Sequence, residues 1–109
     1  MESVTYYARF GYCGEDGICV SFPDVPSAIT GSDTKEHAVE MAKEVLLAIF
    51  IASKTCNVVV DPPRTLAELN NVFGDELDEY ELNFEFVPIT INIPDDVFLD
   101  WMIPNPRYK

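Results

Sequence analysis

The stretch from Val20 to Lys54, VSFPDVPSAITGSDTKEHAVEMAKEVLLAIFIASK, leaves fewer folding choices than any other part of the chain. Asp33 stands three residues before Glu36, the spacing at which an N-cap oxygen and an N3 carboxylate satisfy each other's exposed amides. Ala38, Met41, Ala42, Val45, Leu46 and Ile49 then recur at three-and-four spacing, which predicts one apolar face of a helix. Lys35, Glu36, Glu40, Lys43 and Glu44 fall on the opposite, water-facing side. From Leu46 onward Leu47, Phe50 and Ile51 leave the stripe, so this end of the helix is apolar almost all round. Such a surface demands cover on more than one side, from the same chain or from a partner. At 1.5 Å per residue the helix is about 30 Å long, enough to cross a small sheet. Its uninterrupted apolar run, Val45 to Ala52, falls far short of the roughly 20 residues a bilayer requires, so no membrane association is expected.

The segments around the helix read as strands. Val4, Tyr6, Ala8 and Phe10 alternate with Thr5, Tyr7 and Arg9, and Ile18, Val20 and Phe22 return as a second, antiparallel strand after the turn Gly14-Glu15-Asp16-Gly17. With a four-residue turn, Cys13 and Cys19 should point to opposite faces. Pro23 and Pro26 bracket a corner, because neither can donate to a ladder, and Ala28 to Thr30 reads as a short third strand. Past Lys54, Cys56 to Val60 is a strand or an extended connection closed by Asp61-Pro62-Pro63. Thr65 and Glu68 are spaced as a capping box for a short helix through Leu66, Leu69 and Phe73, ending at Gly74. In the late strand LNFEFVPITINI, Leu82, Phe84 and Phe86 share one face while Val87, Ile89, Ile91 and Ile93 share the other. A switch of face at Val87-Pro88 predicts a bulge, a bend or a strand that leaves one sheet to pair elsewhere. After Pro94, Asp95 is placed to cap a short helix through Trp101. The expected fold is α+β: a three-stranded antiparallel sheet plus a late fourth strand, with one long helix packed on one face. Residues 1–109 form a single domain, with its core in 3–54 and a late strand and tail in 82–109.

Charge narrows the function. Nineteen acidic residues against seven basic give a formal net charge of −12. Such a surface repels a phosphate backbone, so direct nucleic-acid binding is not expected, and it speeds encounter with a basic protein. Three cysteines, Cys13, Cys19 and Cys56, match no zinc spacing and read as free thiols of a reducing compartment. The opening MESVTYYARF has no basic-plus-apolar signal, which points to a cytoplasmic protein.

The run SFPDVPSAITGSDTKEHAVEMAKEVL resembles the signature of the HicB-like antitoxin family, commonly close to F-P-D-L-P-G-C-x-T-x-G-D-T-x-E-E-A-x-x-N-A-x-E-A-L. Phe22, Pro23, Asp24, Pro26, Thr30, Asp33, Thr34, Glu36, Ala38, Ala42 and Glu44 fall in matching places. The resemblance covers residues 4 to about 53, and the late strand loosely. Ser27 and Ala28 stand where the family has Gly-Cys, and Ser32 replaces the glycine before Asp-Thr, departures confined to the corner. The resemblance implies a truncated ribonuclease-H-like fold without ribonuclease activity. It also implies a partner, a small basic HicA-like ribonuclease toxin with a double-stranded-RNA-binding-like fold, neutralised by covering its catalytic histidine. Many members continue into a DNA-binding helix-turn-helix or ribbon-helix-helix. VPITINIPDDVFLDWM looks like the opening of the latter, but the sequence stops before a second helix, and Asp95, Asp96 and Asp100 are wrong for phosphate contacts. The DNA-binding part is expected to be absent or a remnant, and autoregulation is not carried over.

On chemistry alone, the expected partner-binding residues are Glu15 and Asp16 of the first turn, Phe22 and Asp24 of the corner, and the acidic run Asp75, Glu76, Asp78, Glu79 and Glu81. The all-round apolar helix end (Leu47, Phe50, Ile51) and the late strand (Ile89, Ile91, Ile93) are expected to form a homo-oligomer interface. No catalysis, cofactor or metal is expected. His37 is the single histidine, in the first turn of the helix. Asp16, Asp24 and Asp33 are the candidate carboxylates for a metal, yet each has a local task in a turn, a corner or a cap. The alternative to the antitoxin reading is an orphan module of the same fold, a homo-oligomeric structural or adaptor protein with no toxin.

Overall fold

A computed structural model describes residues 3–74, 77, 79–97 and 99. Strands β1 (Ser3–Tyr12), β2 (Ile18–Ser21), β3 (Ile29–Ser32) and β4 (Asn83–Asn92) form one antiparallel sheet in the order β3-β2-β1-β4. Helix α1 (Lys35–Ala52) packs on one face and α2 (Leu66–Phe73) lies between α1 and β4 in sequence. The architecture is therefore α+β, with four strands in one sheet and two helices among the described residues, fuller than a three-stranded sheet plus a late fourth strand and one long helix. β4 pairs with β1 residue for residue, from Ser3 against Asn92 to Tyr12 against Asn83.

The helix begins one residue later than the spacing predicts. β3 continues to Ser32, so the turn needs Asp33, and Thr34 becomes the N-cap, its side chain accepting from the His37 amide at 3.2 Å. Either residue is a good cap, and the length of the preceding strand selects between them. Glu36 remains in the first turn, where the helix dipole favours a carboxylate. Ala38, Ala42, Leu46 and Phe50 are buried, against a core of Tyr6, Ala8, Phe10, Val20, Phe22 and Ile89. The alanines let the helix sit close to the sheet over its first half. Phe50 then fills the wider end, meeting the Tyr6 ring edge-on with centroids 5.9 Å apart.

The face switch in β4 is a real feature with another cause. No bulge interrupts the register at Val87 and Pro88, which pair with Ala8 and Tyr7. Instead both faces of β4 are used. Val87, Ile89 and Ile91 face α1, while on the far side Phe84 and Phe86 stack edge-on and Phe73, the last residue of α2, meets Phe86 at 6.1 Å. Pro88 is tolerated because β4 is an edge strand, where half the N–H groups point away from the sheet. Cys56 to Val60 forms a connection that pairs with no described strand, and Thr65 and Glu68 form the expected reciprocal capping box. Of the helix expected from Asp95 through Trp101, Asp95 and Asp96 form a turn in which the Val97 amide donates to Pro94 O at 3.1 Å, and 98, 100 and 101 lie outside the described residues.

The β1–β2 hairpin corrects one expectation. Tyr12 pairs with Ile18, and the Cys13 amide donates to Gly17 O at 2.9 Å, so the loop is the three-residue 3-10 turn Gly14–Asp16. Gly17, at φ 89°, closes it, and a Cβ there would stand 2.8 Å from Ser32 O. Relative to a four-residue turn this shifts the register, and such a shift moves side chains to the other face. Cys13 and Cys19 consequently share a face, with their sulfurs 4.0 Å apart.

Candidate partner-binding site

The two ends of the sheet present the predicted contact residues differently. At the corner end, Phe22 is buried against Tyr6 with ring centroids 6.5 Å apart. Asp24 is only 4% exposed. Its carboxylate accepts from the Arg64 amide at 2.8 Å and from Arg64 Nε at 2.6 Å, and its carbonyl accepts from the Asp61 amide at 2.9 Å. Tyr6 donates its phenolic proton to Asp61 O at 2.5 Å, and burial, with the nearby Asp24 and Asp61 carboxylates, pushes its pKa well above the usual tyrosine range. Asp24 and Tyr6 thus fasten the Val60–Arg64 segment over the core, and the burial of Phe22 and Asp24 leaves little surface for a partner.

At the hairpin end the acidic groups stay exposed. Glu15 and Asp16 form the tip, and Asp33 stands beside Gly17 with its Oδ1 3.5 Å from where a Cβ would be. Leu82, whose amide donates to Tyr12 O at 2.7 Å, lies against Gly14 and is 72% exposed. Tyr80, just before it, is 74% exposed. Tyr12, Gly14, Gly17, Ile18, Asp33, Lys35, Leu82 and Asn83 line an open hollow of about 370 Å³. Two of these residues belong to a polar clasp: Tyr12 donates to the Glu85 carboxylate, which also pairs with Lys35 Nζ at 3.1 Å. Burial and this bond push the Tyr12 phenol up to about 12. Tyr12 first, and Lys35 in addition, hold the Glu85 carboxyl below its ordinary value.

The acidic run divides. Glu79 is exposed, whereas the side chain of Glu81 is almost completely buried and forms a two-pronged pair with Arg9, at 2.5 and 2.7 Å. The Arg9 guanidinium also lies 4.2 Å above the Phe84 ring. Glu81 Oε2 occupies the space a Cβ on Gly11 would take, at 1.9 Å. Asp75, Glu76 and Asp78 lie outside the described residues. Among the residues expected at a homo-oligomer interface, Phe50, Ile89 and Ile91 belong to the chain's own core, Leu47 and Ile93 are half-buried, and Ile51 is exposed. The cover that the helix end demands is thus supplied largely from within, by β1 and β4. Sequence reasoning gave Leu82 to a strand face and Asp33 to a helix cap, and so missed both as surface features. A large apolar side chain flanking a turn is the signal that marks Leu82.

Asp16, Asp24 and Asp33 do not converge: Asp24 lies at the corner end, the other two at the hairpin end. Among the described residues no group of three or more His, Cys, Asp and Glu side chains is placed to hold a metal ion. His37 is exposed, its Nδ1 2.8 Å from Ser32 Oγ, so it joins β3 to the first helical turn. Among the described residues no helix is long and apolar enough to cross a membrane.

No family model matches the sequence. Two curated proteins of Photorhabdus laumondii subsp. laumondii are similar to it. Antitoxin HicB 1 is 53% identical over 50 residues and antitoxin HicB 2 is 41% identical over 49, which is 46% and 45% of this chain. The matched regions are 32% and 34% of those proteins, so the chain spans about a third of the length of the relatives it matches. Among solved structures, a chain of a toxin–antitoxin complex from Streptococcus pneumoniae superposes with a TM-score of 0.62, covering 97% of this chain and 88% of that one at 18% identity. At that identity the superposition shows a shared fold.

Proposed function

We propose that this chain, which is HicB-like in sequence over about half its length, is an antitoxin that binds and inhibits a small basic HicA-like ribonuclease without performing catalysis itself. The observation that carries the reading is the identity to two HicB antitoxins across some fifty residues. The net charge of −12 supports a basic partner. The hairpin end supplies the contact surface: Glu15, Asp16, Asp33 and Glu79 give the charge, and Tyr80 and Leu82 give apolar anchors that exclude water from the contact. Inhibition then follows from occlusion of the toxin's active site.

Co-expression with each small basic open reading frame encoded beside it tests the proposal. Complex formation is measured by calorimetry across a salt series, together with ribonuclease activity of the partner. A complex that weakens with salt and silences the partner supports the antitoxin. Neighbouring basic proteins that neither bind nor lose activity overturn it. The outer edge of β4, on which no described strand pairs, favours a second reading, a homo-oligomeric module without a toxin. A chain that sediments as a monomer removes that alternative.

A further inference from the structure

The shared face of Cys13 and Cys19 has a chemical consequence. Gly11 pairs with Cys19 and Cys13 is closed against Gly17, so the two cysteines are diagonal neighbours across the hairpin. Diagonal residues in a regular ladder stand about 7–8 Å apart at Cα, slightly wide for a disulfide. Cys13 departs from strand geometry, at φ −112° and ψ 24°, and its sulfur comes to 4.0 Å from that of Cys19. Bond formation needs the sulfurs to approach by about a further 2 Å. Gly14 and Gly17, both with positive φ, lie in the segment between the two cysteines and add no side chain of their own there. Cys19 is exposed and Cys13 half-buried, so an oxidant reaches the pair directly.

We propose that Cys13 and Cys19 form an oxidation-sensitive dithiol at the root of the β1–β2 hairpin, which hydroperoxides convert to an intrachain disulfide. The Cys19 thiolate attacks one peroxide oxygen, the O–O bond breaks, and the departing oxygen takes up a proton as water (an alcohol, for an organic hydroperoxide). Cys19 is then a sulfenic acid. The Cys13 sulfur attacks the Cys19 sulfur, the S–S bond forms as the S–O bond breaks, and the leaving hydroxide takes the Cys13 proton away as water. The dithiol has lost two electrons and two protons, and the peroxide has gained them. Cys19 reacts first because it is the more exposed of the two. The assignment rests on the hairpin alone and is independent of any toxin.

The test uses the full chain carrying Cys56→Ser, which removes the third thiol. After hydrogen peroxide and alkylation, intact mass should show the loss of two hydrogens, and peptide mapping should show Cys13 linked to Cys19, reversed by dithiothreitol. With Cys13→Ser added, a dimedone adduct should accumulate at Cys19. Free alkylation of both cysteines after peroxide, sulfinic acid without a link, or only intermolecular dimers would overturn the dithiol. Faster dimedone labelling of Cys13 in the Cys19→Ser chain than of Cys19 in the Cys13→Ser chain would overturn the order of attack.

Discussion

At the corner end of the sheet Asp24 is buried beneath Arg64, whereas at the hairpin end Glu15, Asp16 and Asp33 all remain exposed. Both places begin alike in sequence, an aspartate in a tight turn near an aromatic or apolar residue. The difference lies in what the chain does later. Forty residues beyond Asp24 the segment Val60–Arg64 returns over the corner and supplies two donors to its carboxylate. Over the hairpin tip the later chain sends Leu82, which lies against Gly14 without enclosing the carboxylates. An acidic residue therefore becomes structure or surface according to whether a distant segment brings donors to it.

The largest effect expected is at the corner end. Phe50→Ala removes a fully buried ring that touches Tyr6, and urea denaturation should show a loss of about 3–5 kcal/mol. Ile51→Lys, one residue on and exposed, should stay within about 0.5 kcal/mol. Equal losses in the two variants would mean that the helix end is covered by a second molecule. Next in size is Asp24→Ala, which strands the Arg64 amide and guanidinium. Loss of a fully buried partner costs about 3–5 kcal/mol, and because the Arg64 head keeps some water, about 2–3 kcal/mol is expected here. A smaller change, with undiminished core stability and weakened partner binding, would move Asp24 back among the contact residues.

The features legible in the sequence are those that local spacing specifies. The helix, the hairpin, the capping box of α2 and the late strand follow from periodicity and turn residues within a few positions. What escaped depends on distant residues or on choices that local rules leave equal. Asp33 and Thr34 can each cap the helix, and the end of β3 decides. Gly14-Glu15-Asp16-Gly17 suits a three- or a four-residue loop, and that single choice sets which face Cys19 occupies. In β4 the apolar residues change sides because α1 covers one half and α2 with Arg9 covers the other, a pattern that one strand read alone cannot distinguish from a bulge. The same limit hid the burial of Glu81, whose partner Arg9 lies 72 residues earlier.

At the hairpin end the comparison predicts a separation of stability from binding. Glu15→Gln with Asp16→Asn should leave urea stability within about 0.5 kcal/mol, since both residues are exposed and lie in a turn. Association with the proposed basic partner should slow, and its rate should depend less on salt, because two charges that steer the encounter are gone. Stopped-flow association at two ionic strengths checks this. An unchanged rate with an unchanged salt dependence would take the tip out of the contact surface and leave Glu79, Tyr80 and Leu82 to be tested in its place.

The smallest effect is a pH dependence confined to the clasp beneath that surface. Glu85 has a folded pKa below its unfolded value, so its contribution is present above the ordinary carboxylate range and is lost as pH falls through the depressed value. Tyr12 runs the other way. Its folded pKa of about 12 exceeds the unfolded value of 10.0, so the stabilisation is complete below the unfolded value and disappears as pH rises from there through the folded one. Tyr12→Phe removes the shared hydrogen bond and should flatten both limbs at once, whereas Lys35→Met should weaken the acid limb alone and by less, because Tyr12 is the larger cause of the Glu85 shift and the phenol is shifted by burial and by Glu85 rather than by Lys35. Chemical denaturation across pH, with tyrosinate absorbance on the alkaline side, separates the two. If Lys35→Met altered the alkaline limb as strongly as Tyr12→Phe, the three groups would titrate as one unit, and the clasp would couple the start of α1 to β1 and β4 more tightly than two separate contacts can.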